Sequence, residues 1–257
     1  MTQQTTAGIL GRAAAVGPFF SVATGGGDPR DDGFRPLSEV YGSPAALGER
    51  VDVVAARLGT TERRVAASLA HQGLAGRLWS LALAPAVLTG QVPDLAADGL
   101  WWHPGRTAPV ELRLPAPALL SAASGRPLAD RLRTAVLHEH LEPLLLTTRA
   151  VTPIAPGLLW GNAASALAGT LRVLHAWCLG AGLPDAAGRS VDLTASLLDD
   201  PLLRGAGTLD PRGPSFARRS CCLYYRVPGG GLCGDCCLRS AAPTAGTVPS
   251  TRARRVR

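Results

Sequence analysis

Between Thr5 and Ala23 apolar residues recur at helical intervals, at Ile9, Leu10, Ala13, Val16, Phe19 and Phe20, before Gly25-Gly26-Gly27. That spacing predicts a helix running into a loop, with Asp28 to Pro36 as the loop. Ser43-Pro44 reads as an N-cap followed by a first-turn proline, and Leu47, Val51, Val54, Ala55 and Leu58 supply one apolar face up to Gly59. Thr60 or Thr61 is the expected cap of a following helix whose face runs through Val65, Leu69, Leu74 and Leu78 to Leu83, with Pro85 ending or kinking it. The period then shortens. Residues 99–103 and 110–114 predict two strands of a small hairpin around Pro104-Gly105-Arg106. Pro127 to about Thr147 and Pro156 to about Leu179 predict two long helices, and Ala181 to Pro214 reads as turn-rich, with short helices near Thr194–Leu198 and Pro201–Arg204.

These elements predict a mainly α protein with a small antiparallel β element, an α+β fold ending in a cysteine-rich loop. No βαβ alternation, dinucleotide glycine fingerprint or P-loop is present, so nicotinamide and nucleotide chemistry are not expected. The expected division is a helical body over residues 1–214, a metal-binding segment over 215–240 and a disordered basic tail over 241–257. The chain has 257 residues, 46% hydrophobic and 18% charged, enough to bury a substantial core. All 26 basic residues are Arg, and Arg252, Arg254, Arg255 and Arg257 supply four of the formal +7. The remainder is only weakly positive, which excludes a dense basic stripe and argues against nucleic acid as a partner.

The 22 uncharged residues between Arg149 and Arg172 are long enough to span a bilayer, but Pro153, Pro156, Gly157, Gly161 and Asn162 interrupt them. A buried soluble helix is the reading, without membrane insertion. Residues 1–15 lack a basic n-region and a cleavage site, so a cytoplasmic location is expected. In a reducing compartment six cysteines point to ligation or redox work ahead of disulfides.

Five of the six cysteines fall between 221 and 237, in the framework C-C-x(10)-C-x(2)-C formed by Cys221, Cys222, Cys233 and Cys236. Cys233-Gly234-Asp235-Cys236 is a knuckle that can turn both sulfurs to one centre, and Gly229-Gly230-Gly231 permits the reversal that brings it back to the Cys pair. Structural zinc sites take a two-to-four-residue bite in both halves, which adjacent cysteines supply poorly because their side chains point apart in an extended segment. A two-iron [2Fe–2S] cluster is therefore favoured over zinc. Cys178 reads as a small core residue, and Cys237 is left open between a spare thiol near the cluster and a partner in ligand exchange with Cys236.

The segment Arg218-Arg219-Ser220-Cys221-Cys222-Leu223-Tyr224-Tyr225-Arg226 through Cys233-Gly234-Asp235-Cys236 resembles the C-terminal cluster motif of the ferric siderophore reductases of the FhuF type. Upstream, Leu159-Trp160-Gly161-Asn162-Ala163 is similar to a segment these proteins carry. The resemblance implies that the four cysteines ligate a [2Fe–2S] cluster in a cytoplasmic oxidoreductase that reduces imported ferric hydroxamates. A ferric siderophore and a ferredoxin-like or other electron donor are the implied partners. A non-enzymatic four-cysteine module holding zinc or a cluster is the alternative.

Arg218, Arg219 and Arg226 are expected either to raise the cluster potential, tuning electron transfer instead of holding the fold, and to hold an acidic chelate or a donor protein, or to be solvated loop charges. Tyr224 and Tyr225 are expected to shield the cluster or face the chelate. His138 and His140 lie two apart on a helix, on different faces, so they are not expected to share a metal. Trp101, Trp102 and His103 read as strand core, with an aromatic wall for a bulky ligand as the alternative.

Overall fold

The computed structural model describes residues 5–107, 109–121 and 125–239. The proposed tail, 241–257, lies outside them. The chain opens with α1 (Thr6–Ala14), whose first turn is capped by Thr5 Oγ1 accepting from the Gly8 amide. A 3-10 turn at Pro18–Phe20, β1 (Ala23–Thr24), a second 3-10 turn at Pro29–Asp32 and β2 (Arg35–Pro36) follow. Next come α2 (Leu37–Gly42), α3 (Pro44–Leu58), α4 (Arg63–Thr89), β3 (Trp101–Thr107) and β4 (Val110–Leu114). The second half holds α5 (Leu128–Leu132), a π-helical stretch (Arg133–Leu141), α6 (Glu142–Val151), α7 (Pro156–Gly180), α8 (Pro184–Leu198), β5 (Gly207–Asp210) and β6 (Ser215–Arg218), and a 3-10 turn at Tyr224–Arg226.

The α+β class is as expected: helices dominate and the sheets are small. As expected too, Ser43 Oγ accepts from the Ala46 amide at the start of α3, and Gly59 closes it in the left-handed conformation (φ 61°). Pro85 does not end α4, which continues for another turn to Thr89 and a left-handed Gly90. Burial of the segment on all sides outweighs the hydrogen bond that proline removes.

Three further expectations need correction. The sheet is mixed: its order is β1-β4-β3-β2, with β1 parallel to β4 and the other pairs antiparallel. Its two outer strands are two-residue pairings made by tertiary contact within segments whose composition reads as loop. The helix expected over 127–147 is split by the π-helical stretch, and Pro143, in the first turn of α6, supplies the cause by withholding an amide from the ladder. The turn-rich reading of 181–214 gives way to α8 and the β5–β6 hairpin. The buried face of α8 is Ala186, Ala187, Ser190, Thr194 and Leu197, too small and polar to register as apolar periodicity.

The core is organised on α4, which packs most extensively against α7. Gly76 faces Ala166 across that interface, where an added Cβ would meet the alanine at 4.0 Å. Small residues thus let the two backbones approach. Trp79 Nε1 donates to the Ala163 carbonyl at 3.2 Å, and Ser80 and Thr170 hydroxyls pair at 3.2 Å. Trp102 is core as expected, whereas Arg30 covers the Trp101 ring and His103 packs edge-on against Phe34. His138 pairs with Glu142 at the surface; His140 is buried between the Tyr41 hydroxyl and the Leu95 carbonyl, and burial pushes it down to about 4. The two imidazoles serve different contacts. No helix among the described residues is long and apolar enough to cross a membrane.

Candidate iron–sulfur site

The cysteine segment leaves the β5–β6 hairpin and lies across α4 and α7. Its attachment begins at Asn162 on α7, fully buried, whose amide nitrogen donates to the carbonyl and hydroxyl of Ser68 on α4, both at 2.9 Å. The Ser68 hydroxyl donates in turn to the Cys222 carbonyl at 2.8 Å. Asn162 Oδ1 accepts from Arg218 Nη2 at 2.6 Å, and Arg218 Nε donates to the Ser220 carbonyl at 2.5 Å. One chain of buried hydrogen bonds therefore fixes both sides of the Cys pair, and in a low-dielectric interior each link depends on the others.

The knuckle is held separately. Asp235, 6% exposed, accepts from Ser165 Oγ at 2.6 Å and from Arg172 Nη1 at 2.7 Å, both from α7, and its carbonyl accepts the Arg218 amide at 3.2 Å. Ser165 and Arg172 are seven residues apart, two helical turns, so both face the knuckle. Gly161 makes the contact possible: a Cβ there would stand 2.0 Å from Ser220 Oγ, 3.3 Å from Ser220 Cβ and 3.2 Å from Arg218 Nη2. Gly161→Ala is expected to lower stability by about 1–3 kcal/mol through overpacking, measured by urea unfolding. Recovery in the Gly161→Ala, Ser220→Gly double variant checks that this contact is the cause; a loss that persists there places the defect elsewhere.

Within the loop two of the thiols meet and a third lies near them. Cys233 hydrogen-bonds to Cys222, and Cys221 lies within electrostatic reach of Cys222, Cys236 and Cys237. Two backbone amides point at sulfur: Leu223 N–H donates to Cys221 Sγ at 3.3 Å, and the Asp235 amide reaches Cys233. Leu223 adopts φ 69°, the single non-glycine residue with positive φ among the described residues, and this strained turn swings its amide back to the sulfur. Gly229 is left-handed (φ 69°), and a Cβ on Gly230 would strike the Tyr224 and Val227 carbonyls at 2.7 and 2.8 Å, so the expected reversal does require these glycines.

Burial raises the Cys221 thiol above its ordinary range, and burial together with Cys222 pushes Cys233 up to about 12. Ionising the Cys221 and Cys233 thiols thus calls for a compensating cation, while amides aimed at both sulfurs and, at Cys233, the Arg218 guanidinium favour the anionic form. This donor set fits an iron–sulfur cluster. Among the described residues no group of three or more His, Cys, Asp or Glu is arranged to hold a single metal ion.

Residues 218–238 match the FhuF 2Fe-2S C-terminal domain. The protein therefore carries a segment of a 2Fe-2S-binding domain, and all five clustered cysteines fall inside it. A comparison of the chain with curated proteins finds no match. The FhuF 2Fe-2S segment begins at the last residue of β6, and the body upstream provides its seat.

That body also forms a cleft of about 620 Å3 between α4 and α7. Pro18, Phe19 and Phe20 make one wall, Gly73, Gly76 and Gly169 leave it room, and Cys222, Cys233 and Tyr224 close one end. Arg77 holds the wall in place by donating to the carbonyls of Pro18, Phe19, Ser21 and Val110.

Arg218 departs from the sequence expectation. It is 2% exposed and bound to Asn162 and Ser220, so it holds the fold as well as lying near Cys233. Its guanidinium donates to buried acceptors that sequence proximity could not reveal. Arg219 is exposed, and Arg226 is exposed and donates to both Glu62 oxygens at 2.8 and 2.9 Å. Tyr225 is exposed beside Arg226 and does not line the cleft. Cys178 is buried in the core face of α7, as expected. Sequence reasoning missed Asp235, Ser165, Arg172 and Ser68. The one signal was Gly161-Asn162 within the Leu159–Ala163 segment.

Proposed function

We propose that the protein is a cytoplasmic ferric siderophore reductase acting on hydroxamate-type chelates, with Cys221, Cys222, Cys233 and Cys236 as the cluster ligands. The observation that carries this reading is that Cys222 and Cys233 line the 620 Å3 cleft, so an occupant of the cleft touches the cysteine site directly. The volume lies within the usual range for small-molecule sites, roughly 300–1,000 Å3. When bound, the cluster supplies one electron at a time. Fe(III) accepting that electron becomes Fe(II), which hard oxygen donors hold far more weakly.

The chain's own residues perform the remaining tasks. Phe19, Leu69 and Val173 offer apolar contact to the chelate backbone. Gln72 Oε1, buried at the cleft without a hydrogen-bond partner, suits an amide N–H of the ligand. Arg172 spends one nitrogen on Asp235 and keeps further donors for chelate oxygens. Residues 1–214 act as the binding body and 215–240 as the redox segment.

The test is anaerobic. Reduced protein mixed with a ferric hydroxamate is expected to reoxidise while an Fe(II) trap develops one equivalent of colour per cluster. A colourless protein carrying one equivalent of zinc, or a red-brown one that leaves the chelate ferric, would replace this reading with the four-cysteine module.

A further inference from the structure

The cysteine site has two sides. Cys222 and Cys233 line the cleft, whereas Cys221, Cys236 and Cys237 do not, and Cys221 and Cys237 are partly open to solvent away from it. Outside the cleft the segment carries apolar side chains that a folded protein ordinarily covers: Tyr225, Leu232 and Leu238 are 46, 45 and 40% exposed. None of them lines the cleft.

Charge divides the chain at the same place. Residues 215–257 contain eight arginines and one acid, Asp235, while residues 1–214 hold 18 arginines against 18 acids. The whole formal charge of +7 therefore resides in the last 43 residues. Asp235 is buried under Arg172 and Ser165, so among the described residues the charges this segment shows to solvent are Arg219, Arg226 and Arg239. Arg226 is shared with Glu62; among the described residues Arg219 and Arg239 make no ion pair. Arg239 reaches back to the Leu232 carbonyl at 3.5 Å, which places one cation beside the exposed leucine. Apolar side chains with cations around them, beside partly open thiols, are the usual make-up of a docking patch.

We propose that the exposed part of the cysteine segment outside the cleft, with Arg226 beside Tyr225, Arg239 beside Leu232, and Leu238 and Arg219 also open to solvent, docks a small acidic protein carrying a one-electron centre. The inference rests on the proposed reductase function and adds the recognition of its electron donor. Charge complementarity selects the occupant, because residues 215–239, with four arginines to one acid, attached to a body of zero formal charge attract and orient an anionic partner. Docking there leaves the cleft free, so donor and chelate occupy opposite sides of one site. In the transfer itself one electron leaves the carrier, which is oxidised by one, and enters the cysteine-held centre, which is reduced by one; no bond forms or breaks.

The experiment uses the full chain with its cluster and a plant-type [2Fe–2S] ferredoxin as the acidic probe. Binding of oxidised ferredoxin is measured first by calorimetry, so no electron moves. The Kd is expected to weaken at least about tenfold between 20 and 500 mM NaCl, where screening shortens from about 20 to below 5 Å, and about fivefold in Arg219→Gln, Arg239→Gln at low salt. Leu232→Ser is expected to weaken binding without changing the salt slope. Stopped-flow reduction by reduced ferredoxin should slow in the arginine variant, whereas reduction by cationic methyl viologen radical should not slow. Salt-independent binding, equal slowing by both reductants, or an unchanged Kd in the variants overturns the proposal. Binding to duplex DNA or anionic vesicles with no ferredoxin binding also overturns it, in favour of those partners. Reoxidation by the ferric chelate is read separately, so a failed reductase reading and a failed docking face give different results.

Discussion

Cys222→Ser is expected to strip the protein of its visible charge-transfer absorption and lower iron and sulfide content by at least about tenfold, since changing even a group behind a ligand costs about 10–100-fold in metal affinity. The site explains why this cysteine matters most. It is buried, hydrogen-bonded by Cys233, fixed through its carbonyl by Ser68, and exposed to the cleft. A hydroxyl in its place is a harder and far less acidic donor than a thiol. Cys178→Ser, altering a core thiol of α7 away from the loop, should keep the full cluster. An unchanged iron content in Cys222→Ser would sink the ligand assignment.

Asp235→Ala should have the second large effect, on fold and cofactor together. The substitution removes the acceptor for Ser165 and Arg172 and leaves the knuckle tied to the body only by its backbone. Two charge-assisted hydrogen bonds to a buried carboxylate suggest a loss of about 2–3 kcal/mol, below the range for a fully buried pair because Arg172 is more than a third exposed. Thermal unfolding and the rate of cluster loss should both respond. Asp235→Asn keeps an acceptor without the charge and should recover part of the stability. If Asp235→Ala melts and retains iron like the natural protein, the clamp on α7 is not what seats the knuckle.

Much of this site could be read from residue order, and its limits have a physical cause. Cysteine spacing and the triple glycine are local properties, so the C-C-x(10)-C-x(2)-C framework and the turn through Gly229 and Gly230 needed no tertiary information. Ser43 and Gly59 marked the ends of α3 for the same reason. The seat of the loop is different: Ser68, Asn162, Ser165 and Arg172 meet residues 218–235 only because α4 and α7 pack side by side. Each is an ordinary polar residue on a helix until its partner, 56 to 154 residues away, is placed. Arg218 was read as a tuning charge or a solvated one, not as part of the fold, because arginine is rarely buried without partners and its partners were invisible. Only the end of α8, Thr194–Leu198, was read as helix, and its first ten residues and strands β1 and β2 were missed because small or turn-forming residues carry little periodic signal.

The wall of the cleft comes from residues 16–20 and its cysteine end from residues 222–235, so the two ends of the chain complete one chamber. During synthesis the N-terminal wall, α4 and α7 emerge and can pack before the cysteines exist as part of the chain. The order of manufacture therefore makes cluster insertion a late event, performed on a body already folded. A ribosome that stalls within α8 would release a protein with the N-terminal wall, α4 and α7 but with the cysteine end of the cleft missing. Such a truncated product would be expected to have an open cleft and no bound iron, so the iron content of a preparation reports how many of its chains were completed.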